Sequence, residues 1–276
     1  MDFRKTFDQI PETFDKYRLR YCDELFTEII TVSDLNSSKD VLEIGPGTGQ
    51  ATEPILKTGC NYKAIELGEN FTEYMKNKYG TYSNFDIVNA DFETYNFGNQ
   101  TFDLIYSAAT IQWIPEDIAF SKAYNILKPG GILAMFMTYS DEKSANEELY
   151  NRIEEVYKEH FSVKQRYNCK MDYDNVVNYG FVNYKNQDWK KVRTLNADEY
   201  ISYISTHCEH ITLEEPYKSK FYTGVRKAII DAGNKIIIKD TIALYIAQKS
   251  LWIPNYPFII NYEENLKIKK FTNQNL

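Results

Sequence analysis

Cysteine is scarce in this chain. It occurs four times, at Cys22, Cys60, Cys169 and Cys208, and no two form a C-x-x-C pair. That excludes a zinc ribbon, a dithiol redox centre and a disulfide scaffold, and it reads as free thiols in a reducing compartment. Long apolar runs are missing too: a stretch such as Ile132–Met137 falls far short of the roughly 20 residues that span a bilayer. The opening Met1-Asp2-Phe3-Arg4-Lys5-Thr6 lacks the apolar core of a signal peptide. These absences predict a cytoplasmic protein with no membrane partner. There is no surplus of positive charge, because 39 acidic side chains outnumber 32 basic ones for a net charge of −7. A dedicated nucleic-acid binder would show the opposite balance. Histidine occurs three times, and two of the three lie in His207-Cys208-Glu209-His210. With no second ligand cluster nearby, that spacing predicts no metal site. Nor does the chain carry an internal repeat, a low-complexity linker or a phosphate loop.

What is present is ordinary globular material. At 276 residues, 43% hydrophobic and 26% charged, the chain can bury a substantial core as one domain plus a cap. Apolar residues recur at helical spacing over 12–32 (Phe14, Tyr17, Tyr21, Leu25, Ile29), which predicts a helix. Strand and helix signals then alternate. The strands are expected at Val41–Gly45, Tyr62–Glu66, Phe85–Asn89, Phe102–Ser107 and Ile132–Thr138, and the helices over 50–58, 69–79 and 116–127. Such alternation predicts a parallel sheet with helices on both faces. Beyond Ser140 the pattern changes: helices are expected over 144–161, 197–206 and 215–232, irregular chain over 163–185, and strands at Trp189–Leu195 and Thr241–Gln248. A polar tail follows over 251–276, where Pro254 and Pro257 point to extended chain.

The most informative segment is Asp40-Val41-Leu42-Glu43-Ile44-Gly45-Pro46-Gly47-Thr48-Gly49-Gln50-Ala51, a buried strand running into a glycine turn and a helix. A dinucleotide site wants G-x-G-x-x-G/A. Counting from Gly45 the last position is Gln50, and counting from Gly47 it is Thr52, so neither register fits. Glu43 would also repel a pyrophosphate. An acidic residue there suits a cofactor whose nearby end is cationic, a description met by the ammonium and sulfonium groups of S-adenosylmethionine (SAM). The segment E-x-G-x-G-x-G after a strand resembles motif I of the class I SAM-dependent methyltransferases, of the small-molecule type.

The resemblance covers roughly residues 14–250 and is densest over 38–138. It implies an α/β, Rossmann-like sheet of seven mostly parallel strands with the last antiparallel, plus a helical cap. It also implies SAM as cofactor, S-adenosylhomocysteine (SAH) as product, and a cofactor set of Glu43, Gly45, Gly47, Gly49, Glu66, Asp91, Phe92 and Ser107. Glu66, ending the second strand, matches the family's ribose-binding carboxylate, and a carboxylate can accept from both hydroxyls of a vicinal diol. Asp91 matches the residue facing the adenine amino group, and Phe92 flanks the ring or is ordinary core. Near the N-terminus, Tyr17-Arg18-Leu19-Arg20-Tyr21 resembles the family's Y-R-P-x-Y-P segment. Tyr17, Arg18 and Tyr21 therefore either close the site and hold the methionine carboxylate or pack as an amphipathic helix. In Ser107-Ala108-Ala109-Thr110-Ile111-Gln112-Trp113-Ile114, Gln112 stands where relatives often carry a histidine. It cannot act as a base near neutral pH, so no catalytic residue is assigned. Gln112, Trp113, Thr138 and His207 are expected in the substrate pocket.

The implied organisation is an N-terminal cap segment at 1–35, a SAM-binding core at 36–140, and a cap at 141–235 with one strand near 188–195. The final strand at 236–250 and the 251–276 tail complete it. The expected function is methyl transfer to a small-molecule acceptor, a carboxylate or a hydroxyl, with no nucleic-acid partner. Two other readings stay open, a SAM-binding protein that does not methylate and a nicotinamide-dependent oxidoreductase. The oligomeric state is not legible.

Overall fold

The computed structural model describes residues 2–164, 166–167 and 169–251. A 3-10 turn at Phe3–Gln9 leads into two short helices, α1 (Pro11–Tyr17) and α2 (Asp23–Val32). The alternating core follows as β1 (Asp40–Ile44), α3 (Thr52–Leu56), β2 (Asn61–Glu66), α4 (Glu69–Tyr79), β3 (Phe85–Asn89), β4 (Phe102–Ala108), a 3-10 turn at Ile111–Trp113, α5 (Glu116–Ile126) and β5 (Leu127–Asp141). The remainder is α6 (Glu147–His160), a 3-10 turn at Tyr173–Tyr179, β6 (Phe181–Leu195), α7 (Ala197–Ile204), α8 (Cys208–Ile211), α9 (Tyr217–Asp231) and β7 (Ile236–Lys249).

The seven strands form one sheet in the order β3-β2-β1-β4-β5-β7-β6. Strands β1 to β5 are mutually parallel, and β7 lies antiparallel between β5 and β6. The chain winds outward from β1 to β3, then returns to place β4 on the other side of β1. The carboxyl ends of β1 and β4 thus flank the point where strand order reverses, the place where open α/β sheets bind ligands. Side-chain alternation divides the core. Val41, Leu104, Tyr106 and Phe136 face α2, α3 and α4, whereas Leu42, Ile44, Ile105 and Leu133 face α5. A third apolar cluster, with Leu149, Ile153, Tyr200, Phe221 and Val225, joins α6, α7 and α9. Local signals start these helices. Asn146 accepts from Leu149 N at 3.0 Å to begin α6, and Asn196 with Glu199 forms a capping box on α7.

Three expectations are corrected. The single helix expected over 12–32 is two helices, because Arg18 and Cys22 take extended backbone. Packing overrides the periodicity there: the Tyr21 ring sits edge-on to Phe136 at 4.8 Å. Residues 163–185 are not irregular throughout, since Tyr173–Tyr179 and the start of β6 fall within them. Strand β6 begins well before Trp189 because it is a sheet edge whose exposed first half has no apolar alternation to betray it. The expected 251–276 tail, beyond Leu251, lies outside the described residues. No helix among the described residues is long and apolar enough to cross a membrane.

Candidate active site

A cavity of about 570 Å³ opens at the carboxyl ends of β1 and β4, under the N-terminal 3-10 turn and beside α8. The glycine turn after β1 forms its floor. Gly45 has φ +65°, and its N–H donates to Ile65 O at 2.9 Å. A Cβ on it would lie 2.2 Å from Thr110 Cγ2, so only glycine lets β1 and the post-β4 loop meet here. The Gly47 N–H donates to Glu66 Oε2 at 3.0 Å and the Gly68 N–H to Glu66 Oε1 at 2.8 Å. Glu66 is 6% exposed. Burial pushes its carboxyl up to about 7, against the pull of those two amides. Each oxygen retains a lone pair for a further donor.

Gly45, Gly47, Glu66, Asp91, Phe92, Arg18, Tyr21, Gln112, Trp113, Thr138 and His207 all line this cavity. Asp91 accepts from Arg4 Nη2 at 3.1 Å, and Arg4 also pairs with Glu93. Gln112 Nε2 donates to Ala109 O at 3.0 Å, while its Oε1 is buried without a partner. The Trp113 ring stacks on Tyr167 at 3.7 Å and meets Phe7 edge-on at 5.6 Å. His207 is held below its ordinary pKa by removal from water and by the nearby Arg18. It is therefore a neutral ring at working pH.

Four expected cofactor residues lie elsewhere. Gly49 is off the cavity wall, and a Cβ there would meet Tyr79 at 2.7 Å and Met75 at 2.9 Å. This glycine admits α4, not a ligand. Ser107 is fully buried and donates to Ile44 O at 3.1 Å, tying β4 to β1 beneath the turn. Tyr17 stands outside the lining, with Lys16 Nζ 5.0 Å from its ring centre. Glu43 alternates onto the face of β1 opposite Leu42 and Ile44. There it is fully buried, accepts from Thr52 Oγ1 at 2.6 Å and from the Tyr62 hydroxyl, and does not touch the cavity.

Burial raises the Glu43 carboxyl to about 7. A carboxyl raised on folding stabilises the fold in its neutral form, and that contribution is lost as pH rises through the folded value. Glu43→Gln is therefore expected to leave stability near pH 4, below the ordinary carboxyl value, unchanged. At pH 8 it should raise stability by on the order of 3 kcal/mol, several degrees in Tm. Thermal denaturation at the two pH values checks this, and equal effects at both would refute it.

Sequence reading missed the roof of the site. Asp8 accepts from the Phe71 and Asn70 amides at 2.7 and 3.2 Å and so caps α4 from outside the helix. Phe7 and Phe14 cover the cavity together with Arg18, whose guanidinium carbon lies 5.6 and 4.9 Å from their ring centres. Arg18 Nη2 donates to Thr206 O at 2.7 Å, and its Nε is buried without a partner. No carboxylate pairs with Arg18 among the described residues. Arg4 also pairs with Asp2 at 2.8 Å, but no local signal foretold the contacts of Arg4 with Asp91 and Glu93 or of Asp8 with α4, which are distant in sequence.

Arg18 lies beside His207 and His210, and Glu66, Asp91, Phe7, Phe14 and Trp113 line the same cavity. Strand β7, antiparallel between β5 and β6, departs from the strand arrangement of the dinucleotide sheet. Residues 42–135 match the family model described as a methyltransferase domain. The chain is 28% identical over 204 residues to malonyl-[acyl-carrier protein] O-methyltransferase 2 of Ilyobacter polytropus, covering 63% of this chain and 77% of that one. It is 27% identical over 143 residues to the ribosomal RNA small subunit methyltransferase A of Borreliella burgdorferi, spanning about half of each (49% and 49%). Among solved structures, Haemonchus contortus phosphoethanolamine N-methyltransferase 2, in complex with phosphomonomethylethanolamine and SAH, superposes with a TM-score of 0.54 at 16% identity. The match covers 90% of this chain and 60% of that one. Sheet order, switch-point cavity and glycine turn define a Rossmann-like methyltransferase fold. With the match over 42–135, that segment is a methyltransferase domain, the protein is a SAM-dependent methyltransferase, and SAM is its cofactor.

Proposed function

We propose that the enzyme methylates an oxygen, carboxylate or hydroxyl, of a small-molecule acceptor bound against the Thr138–His207 wall. The observation that carries the cofactor part of this reading is a half-buried arginine that pairs with no carboxylate among the described residues, in the cavity that Glu66 and Asp91 also line. A cation so placed calls for an anionic group. The residues fit SAM. Glu66 has lone pairs left for the ribose diol, Asp91 and Phe92 take the adenine end, and Arg18 with Tyr21 holds the methionine carboxylate.

When bound, SAM supplies an already activated methyl group. The chain's own work is then to align the acceptor and exclude water, which can contribute several kcal/mol, up to roughly 7–11 in the best intramolecular cases. The Phe3–Gln9 turn and the Trp113–Tyr167 stack provide the cover. A carboxylate acceptor arrives ionised and needs no base, in keeping with Gln112 at the position where relatives often carry histidine. The O-methyltransferase relative favours oxygen as the accepting atom. The cover of the cavity by Phe7, Phe14 and Arg18 and the net charge of −7 favour a small molecule over RNA.

Calorimetric titration with SAM, SAH and NAD tests the site. SAM and SAH should bind saturably and NAD should not. Glu66→Ala, which removes hydrogen bonds to a charged group worth about 1.5–3 kcal/mol each, should weaken SAH binding about 100-fold. Release of SAH is then followed with short carboxylic acids, hydroxy compounds and small-subunit ribosomal RNA. Turnover on RNA alone would overturn the small-molecule reading.

A further inference from the structure

His207-Cys208-Glu209-His210 is the one sequence cluster the reading above does not absorb. Among the described residues no group of three or more His, Cys, Asp or Glu is placed to hold a metal ion. His210 is 6% exposed and lines the cavity. Its ring is boxed by Phe161 at 4.7 Å, Phe221 at 5.5 Å and Tyr157 at 5.8 Å between centroids. Its Nε2 lies 2.8 Å from the Tyr157 hydroxyl, and Tyr157 is not part of the cavity wall. The Nε2 edge thus faces α6, which leaves Nδ1 as the ring's one polar atom without a partner, on a residue that lines the cavity.

Nδ1 is buried and has no partner. The Tyr157 hydroxyl has no other hydrogen-bond partner among the described residues, so its O–H must donate to Nε2 or go unpaired. A neutral ring that accepts at Nε2 carries its proton on Nδ1. Burial, reinforced by Arg18, pushes the imidazole down to about 3, so the ring is neutral at any working pH.

We propose that His210 is a specificity-determining residue whose Nδ1–H donates to a carboxylate or carbonyl oxygen of the acceptor, with Tyr157 the positioning residue that fixes the tautomer. This rests on the acceptor reading above. It adds that the acceptor presents an oxygen lone pair to α8, and that a molecule offering only an N–H donor there is rejected.

The test uses the full chain labelled with nitrogen-15 in its three histidines, His160, His207 and His210. Long-range proton–nitrogen correlation should show His210 protonated at Nδ1 and bare at Nε2, and Tyr157→Phe should produce mixed tautomers. With SAH saturating, acetate, malonate and benzoate are titrated as probes. At least one should shift the His210 Nδ1–H resonance, which SAH alone should leave in place. His210→Gln, which keeps reach toward Tyr157 but has no donor at the Nδ1 position, should weaken that carboxylate about tenfold. The affinity for SAH should hold within about twofold in that variant. His210→Asn, with an amide N–H near Nδ1, should restore most of the loss. An Nε2-protonated ring, a shift caused by SAH alone, no shift with any probe, or equal probe affinity in His210→Gln would each overturn the proposal. Should the Gln variant fail to fold, the wild-type tautomer and the Tyr157→Phe spectrum still decide. Absence of SAH binding would register separately and take the methyltransferase site down with it.

Discussion

Gly45→Ala is expected to abolish detectable SAH binding and to lower stability by about 2–5 kcal/mol. Two costs add at this position. The backbone has φ +65°, a conformation that costs an L-residue roughly 1–2 kcal/mol. The new methyl would lie 2.2 Å from Thr110 Cγ2, 2.7 Å from Oγ1 and 2.8 Å from Cβ, and relieving such overpacking typically costs about 1–3 kcal/mol. Rotating Thr110 cannot clear the clash, because its Cβ is itself too close. Moving it also breaks the bond from Thr110 Oγ1 to Gly45 O at 3.0 Å. The turn must shift instead, and that shift carries the Gly47 N–H away from Glu66. Gly98 provides the control, having φ +60° and nothing within 4 Å of where a methyl would sit. Gly98→Ala should cost only the conformational part and leave SAH binding intact. Thermal denaturation and calorimetry on the two variants check the argument. Wild-type SAH affinity in Gly45→Ala would show that the turn does not shape the cofactor floor.

The parallel half of the sheet was readable because its strands are short apolar runs between turn residues, and the turn after β1 because glycine spacing is a steric statement. Glu43 shows where a correct motif led to a wrong contact. Motif spacing suggested a carboxylate facing the cofactor, but strand alternation puts residue 43 opposite Leu42 and Ile44. The alternation was present in the sequence and pointed to the true face. Arg4 and Asp8 are different: they act on Asp91 and on the start of α4 from far along the chain, and no periodicity encodes such contacts. The break between α1 and α2 is of the same kind. Neither glycine nor proline marks it, and Tyr21 leaves the helical path to pack on Phe136. His210 stood out as a residue type, but its orphan Nδ1 and its bond to Tyr157 exist only once α6 and α8 are brought together.

Arg18→Met should separate stability from binding, with opposite signs. In the free protein the guanidinium is held below its ordinary pKa by removal from water, and no carboxylate among the described residues offsets that cost. Replacing a buried, unpaired charge by an apolar side chain of similar length is often neutral or stabilising. The methionine stem keeps contact with Phe7 and Phe14, losing their attraction for a cation and the bond to Thr206 O at 2.7 Å. Stability is therefore expected to stay level or rise. Ligand binding should move the other way, because a desolvated charge pair truncated on one side loses about 2–5 kcal/mol, roughly 30-fold to several thousandfold in affinity. Adenosine, which lacks the methionine arm, supplies the internal reference. If Arg18 grips the methionine carboxylate, SAH affinity collapses in the variant while adenosine affinity holds. If SAH and adenosine both bind as in wild type and only the carboxylic-acid probes are lost, the arginine belongs to the acceptor. It would then join His210 as a second reader of the acceptor, and the methionine carboxylate would rest on Tyr21 and the amides of the glycine turn.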